Sequence, residues 1–268
     1  MNLYSFILGA GALVSSTVWA AGAEIVPYAT GIYNHTRNTQ GDNFYGNTRG
    51  GEVGMAGVSE KWEAVIGGSI LSSDVKGAFY STNVHADNYF LDILYKPNDF
   101  YGKIGLNYGH SKYKENHAFK HSADTYTTMA FIGYRMVDNG WHFDNNSGLR
   151  YTHIDNNKGI KDANILTTIV TTTMSKTYRA DKTVKIIPTI HFTADYDFIS
   201  DEKATTYFIP GTRSLYSVQG DRLHRFGMTG GFGLATQINI FRLGADYELG
   251  WRKQTLSQTA KVNLTIPF

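Results

Sequence analysis

The sequence predicts an all-β fold: a transmembrane, antiparallel, up-and-down β-barrel of about twelve strands. Three observations carry this. From Glu24 onward apolar and polar residues alternate with period two rather than 3.6. Several alternating runs reach the nine to eleven residues that a tilted strand needs to cross a bilayer. The connections between the runs alternate short and long, with short turns at one end and longer loops at the other.

Composition points the same way. Across 268 residues there are 28 Gly, 18 Tyr and 15 Phe against 5 Pro, a mixture suited to strands, turns and aromatic belts. The absence of Cys excludes a disulfide framework and a thiolate metal site. A net charge of +2 leaves no basic footprint for nucleic acid. No run beyond the first residues supplies 18 consecutive apolar positions, so no transmembrane helix is expected.

Residues 1–23 read as a signal peptide. Leu3 to Trp19 is apolar and uncharged, and the small residues Ala20-Ala21-Gly22-Ala23 follow as a cleavage site. Lys and Arg are missing from its first residues, which departs from the usual pattern. The barrel is then assigned to 24–268.

Strands are expected near 24–34, 49–58, 61–72, 84–96, 100–114, 121–136, 140–154, 164–178, 184–199, 223–236, 238–251 and 256–268. In the third, Trp62, Ala64, Ile66 and Ile70 oppose Glu63, Gly67 and Ser69. In the fourth, Tyr89, Leu91, Ile93 and Tyr95 oppose Asn88, Asp92 and Leu94. Ala130, Ile132, Tyr134 and Met136 oppose Gly133 and Arg135. The eighth run is Thr-rich through Thr171-Thr172-Thr173. The ninth sets Ile186, Pro188, Ile190, Phe192 and Tyr196 against Lys185, His191, Asp195 and Asp197. The eleventh is the clearest. Leu243, Ala245, Tyr247, Leu249 and Trp251 share one face, and Arg242, Asp246 and Glu248 share the other. A one-residue slip would turn three charges into the apolar layer, so the register is strongly specified.

Short turns follow at Ser59-Glu60, Pro97 to Asp99, Val137 to Asn139 and Arg179 to Thr183. Long loops are expected at His35 to Thr48, Ser73 to Asn83, Glu115 to Lys120, Asp155 to Ala163 and Ser200 to Arg222, on the outer side. Trp62 and Trp141 begin strands after short turns and Trp251 ends one before an outer loop, so all three are candidate interface aromatics.

The last third resembles a known family. The stretch Thr189 to Phe198, then after a long loop Arg225 to Leu234, then Leu243 to Glu248, looks like the translocator β-barrel of type V autotransporters. Gly148 to Ile154 is similar to the middle strand of those domains, and Gly51 to Gly57 and Trp62 to Gly68 resemble their early strands. The likeness covers roughly 25–268. It implies a twelve-stranded pore and anchor in the bacterial outer membrane, serving export or surface display of a passenger. Only Ala21 to Glu24 fall between signal and first strand, so neither passenger nor linker helix is expected in this chain. The resemblance also implies a C-terminal signal for the barrel-assembly machinery, carried by Val262, Leu264, Ile266 and Phe268, with Pro267 an unusual neighbour.

Register puts Asp195, Asp197, Arg242, Asp246 and Glu248 in the lumen, with Arg150 and His191 beside them. Two readings stand: a charge ring that sets ion preference or touches a threaded chain, or a salt-bridge network that satisfies a wet interior. His117 and His121 have metal-like spacing only on a helix, and they fall by a loop. Gly231-Phe232-Gly233 lies on a strand and is read as a place of close strand approach. A catalytic site is not expected, although His110-Ser111 and His153 with Asp155 lie near outer strand ends. No cofactor or metal is expected. The partners expected are outer-membrane lipid and lipopolysaccharide, the assembly machinery and a passenger chain, and not nucleic acid. The alternatives are a stand-alone porin-like or adhesin-like barrel with ligand-binding loops and, behind it, a barrel lipid hydrolase.

Overall fold

The computed structural model describes residues 24–38, 44–77, 81–115, 119–157, 162–181, 183–200, 204–208, 215–219, 225–252 and 255–266. Residues 1–23, Phe268 and His117 lie outside them, and with them the signal segment, the end of the assembly signal and half of the spaced histidine pair.

Period-two sequence makes strands, and among the described residues there is no helix. The strands are β1 (Glu24–Asn38), β2 (Tyr45–Val58), β3 (Trp62–Lys76), β4 (Ser81–Tyr95), β5 (Phe100–Glu115), β6 (Phe119–Asp138) and β7 (Trp141–Asn156). They continue as β8 (Ala163–Lys176), β9 (Tyr178–Arg179), β10 (Val184–Ser200), β11 (Ala204–Phe208), β12 (Leu215–Gln219), β13 (Phe226–Ile238), β14 (Phe241–Arg252) and β15 (Thr255–Thr265). Each barrel strand pairs antiparallel with its sequence neighbour, β10 skips to β13, and β15 returns to β1 with Tyr28 opposite Thr265. The two-residue β9 prolongs β8 along the edge of β10, so the closed sheet has twelve staves. Closure leaves no open edge, which hydrocarbon requires because it offers backbone groups no partner.

Two of the short turns use left-handed backbone. Asn139 and Gly140 both have positive φ, 49° and 77°, between the paired residues Asp138 and Trp141. That is the Asn-Gly hairpin geometry whose twist matches the flanking strands. Asn239, with φ 53°, serves the β13–β14 turn.

The other end departs from the expected loops. His35, Thr48, Ser73, Asn83, Asp155 and Ala163 all lie within strands, because β1 to β8 run several residues past the alternating segments. Beyond the apolar band the outward face turns polar while the inward face mixes buried polar and apolar residues, so alternation fades while the hydrogen-bonded ladder continues. Only the β10–β13 connection remains long, and it carries a hairpin, β11 with β12. β12 comes close to β4 and β5, which stand across the barrel from β10 and β13 in strand order. The hairpin therefore crosses over the mouth.

Inside that mouth lies an apolar collar that sequence reading missed. Ile32, Leu71, Val84, Ala86, Tyr113, Ala123, Ile154, Ala163 and Ile165 form one buried cluster, although they occupy the inward face. Beneath it the inward face is polar, with Glu52, Ser69, Asn88, Asp92, Thr127 and Thr167 buried.

Candidate functional site

Below the collar the inward face of β10, β13, β14 and β15 carries a bank of charges. Its geometry follows from register. His191 on β10 stands opposite Gly231 on β13, and Gly231 stands opposite Glu248 on β14. With no side chain between them, the imidazole and the carboxylate meet across β13, and His191 Nε2 lies 2.8 Å from Glu248 Oε1. Lys261, from β15, donates to the same oxygen at 2.6 Å. Glu248 is 1% exposed and Lys261 7%, so this is a nearly dry ion pair.

Four residues along, the arrangement repeats. Asp195, Gly227 and Arg252 share a row, and Arg252 binds Asp195 across the glycine. Its other nitrogen donates to Asp197 at 2.6 Å, and the Thr167 hydroxyl donates to that carboxylate at 2.7 Å. Arg150, inward on β7, is close enough for its charge to act on Asp197. Asp246 takes an amide hydrogen bond from Asn263 at 2.9 Å.

A charged side chain removed from water must be paired and hydrogen-bonded. The room for that pairing comes from the β13 glycines. A Cβ on Gly231 would sit 2.5 Å from His191 Nε2, and one on Gly227 would sit 2.7 Å from Asp195 Oδ1. The Gly231-Phe232-Gly233 segment is thus where neighbouring charges cross the strand.

Of the seven lumen candidates, Asp195, Asp197 and Glu248 are gathered into ion pairs, His191 meets Glu248, and Asp246 and Arg150 stand alongside. Arg242 also faces inward but is exposed near the β13–β14 turn, away from the cluster. Two members were missed, Arg252 and Lys261. Arg252 shares the parity of Glu248, and Lys261 opposes the parity of Val262 and Leu264, so alternation alone could have found both. Further ion pairs line the far wall: Lys103 with Asp92 at 3.0 Å, and Arg135 with Asp144 at 2.7 Å.

The other candidates sit as follows. Val262 and Leu264 are exposed on the outward face, and the Ile266 amide donates to the Pro27 carbonyl at 3.1 Å. Trp62 is exposed at the short-turn end, 4.4 Å from the Tyr95 ring, and the Lys176 ammonium lies over Trp141 at that same end. Trp251 is exposed near the opposite end. His110 and Ser111 fall on opposite faces: Ser111 is buried inside, whereas His110 Nδ1 meets Asp124 outside at 2.8 Å. His153 turns to Asn164 at 3.0 Å. His121 stacks on Tyr113 with centroids 4.4 Å apart.

Comparison with known proteins gives a consistent result. The family described as autotransporter β-domain matches residues 27–248. No curated protein sequence matches the chain. Among solved structures, the translocator domain of the autotransporter NalP from Neisseria meningitidis is similar, with TM-score 0.65 and 15% identity, covering 99% of this chain and 96% of that one. The β-domain of the Bordetella autotransporter BrkA gives 0.64 at 9% identity, over 90% of this chain and 98% of that one. The transport unit of AIDA-I from Escherichia coli gives 0.61 at 10% identity, over 91% and 90%. At such identities the likeness concerns the fold.

Proposed function

The chain belongs to the autotransporter β-domain family, and from that membership we propose that it spans the outer membrane as a pore and anchor for passenger export or surface display, able to carry a polypeptide placed before Glu24. The observation that carries this reading is a closed ring with two opposite surfaces. Outward, Ile104, Ile132, Leu149, Ile190, Phe232 and Leu243 are all exposed, an arrangement suited to a lipid surround. Inward, below the apolar collar, the wall is polar and held by ion pairs, suited to a hydrated chain in transit.

The aromatic residues support the span. Trp141 and Tyr151 both face outward on β7, ten residues apart. At ~3.3 Å per residue they stand about 33 Å apart along the strand. A tilt of about 40° reduces this to roughly 25 Å, the height of the apolar band in such barrels. Residues 1–23 serve as the export signal in this reading, and Val262, Leu264, Ile266 and Phe268 as the mark read during assembly. The long β10–β13 connection then faces outward from the cell.

The test is to place an epitope immediately before Glu24, behind an export signal, and to label intact cells with antibody. The expected result is a heat-modifiable outer-membrane protein with its epitope on the surface. A properly inserted barrel whose epitope stays in the periplasm overturns the conduit. Ion conductance in that same preparation would favour the porin-like alternative.

A further inference from the structure

One outward sector differs from the rest of the barrel surface. On β4, β5 and β6 the rows set by register change character in sequence along the barrel axis. Leu91 and Leu106 pair in one row, with Thr128 beyond them. The next row is Tyr89, Tyr108 and Tyr126, with the Tyr108 and Tyr126 rings 5.4 Å apart. Above it Asp87, His110 and Asp124 align, and then His85 with Lys112, and finally Lys114 with Lys120.

The carboxylates in this sector are already engaged. Asp124 accepts from Tyr108 at 2.7 Å and meets His110 at 2.8 Å, and Asp87 lies 3.6 Å from His85. Among the described residues, Lys112 and Lys114 have no ion-pair partner, and both are exposed. The surface between these rows is concave. A groove of about 860 Å³ is lined by Tyr89, Leu91, Leu106, Tyr108 and Tyr126. A second depression of about 450 Å³ is lined by His85, Lys112, Lys114 and Lys120. His110 and Lys112 line both, so the two are continuous.

We propose that the outward face of β4–β6 is a binding site for an acylated, phosphate-bearing glycolipid of the outer leaflet. Its phosphates rest on Lys112, Lys114 and Lys120, and its acyl chains lie over the tyrosine-floored groove toward Leu91 and Leu106. Leu91 and Leu106 line the groove and belong to the outward apolar face, so its occupant reaches it from within the leaflet. The cationic rim complements two or more phosphates, as juxtamembrane basic clusters do with anionic headgroups. The tyrosines match the boundary between chain and headgroup, the depth that aromatic belts occupy. The inference rests on the proposed orientation, with this end of the barrel outside.

The experiment uses the folded full-length barrel in detergent, with native mass spectrometry counting lipid that stays bound. The probes are diphosphorylated lipid A, its dephosphorylated form and phosphatidylglycerol. The variants are the triple Lys112→Ala, Lys114→Ala, Lys120→Ala and, as control, the double Arg37→Ala, Arg49→Ala, which removes exposed cations outward on β1 and β2. At about fivefold per lysine, the triple variant should lose on the order of 100-fold in affinity for lipid A. The control and the dephosphorylated lipid should behave as a normal site and a poor ligand, respectively. Equal retention by the triple variant, equal loss in the control, or equal binding of phosphatidylglycerol overturns the proposal. Because the chain has no Cys, a Lys114→Cys variant reports sidedness by itself. Labelling of intact cells by an impermeant maleimide supports the orientation, so failed lipid retention would then count against the site alone. Labelling only after lysis would overturn the orientation together with the site.

Discussion

Two walls of the barrel use one backbone device with opposite chemistry. On the wall formed by β1 to β7, four inward glycines lie under aromatic rings, and Gly105, under the Asp92 carboxylate, is the exception that holds an ion. A Cβ on Gly67 would meet Phe90 at 2.6 Å, one on Gly54 would meet the Tyr28 hydroxyl at 2.7 Å, and one on Gly148 would meet the Phe131 ring at 2.5 Å. Gly133 lies under Tyr101, whose hydroxyl reaches across to Asp144 on β7. On the wall formed by β10 to β15 the space over glycine holds ions instead, at Gly227, Gly231 and Gly233. A ring covering a glycine restores the packing that the missing side chain gives up. An ion pair across a glycine joins three strands at a point, and it depends on that space staying open. The first filling tolerates disturbance because a ring can rotate aside. The second tolerates it less, since a displaced partner takes a hydrogen bond away from a buried charge.

The sharpest way to break this comparison is Gly231→Val. It pushes His191 off Glu248, which keeps Lys261, so the cost combines a lost hydrogen bond to a charged group, about 1.5–3 kcal/mol, with overpacking of about 1–3 kcal/mol. Urea titration of the barrel folded in lipid vesicles measures this loss, and a change below 1 kcal/mol would mean that the pair has no structural weight. A second substitution asks whether the effect belongs to the inner face alone. Ala245→Arg, three residues from Glu248 but turned outward, should cost about 2–4 kcal/mol if Ala245 meets lipid near the midplane. Its neighbour Asp246→Asn should cost much less in the same titration, and an equal cost would show that the two faces of β14 have been exchanged. The smallest effect belongs to the aromatic wall. Gly133→Val crowds Tyr101, and overpacking of this kind costs about 1–3 kcal/mol. A Gly133→Val loss as large as that of Gly231→Val would erase the distinction between the walls.

Much of this is legible in the sequence. In β14 a single parity sorts Leu243, Ala245 and Leu249 from Asp246 and Glu248, because one surface is apolar and the other polar along the whole crossing. Strand ends were less legible. Residues such as Thr36 and Thr48 are polar and inward at a level where outward neighbours such as Arg37 and Arg49 are polar too, so no contrast marks the strand. The apolar collar was hidden for the complementary reason. Leu71, Val84 and Ile154 are apolar yet face inward, against the rule that served everywhere else. The ion pairs needed knowledge of a third kind. Parity gives the face of His191 and of Glu248, but only the register of β10 with β13 and of β13 with β14 brings them together over Gly231.

The seam between β1 and β15 has a consequence for how the molecule comes into being. Eleven of the twelve neighbour pairings join consecutive staves, so the sheet can grow by local zippering from hairpin to hairpin. The twelfth pairs Tyr28 with Thr265, nearly the whole chain apart, and contacts of that separation are slow to form. Until it forms, the sheet is a curled ribbon with two raw margins that can pair with other chains and cannot rest in hydrocarbon. Burial in the bilayer and sealing of the seam therefore form a single kinetic event. The slowest contact to form is also the one that admits the whole sheet to the membrane.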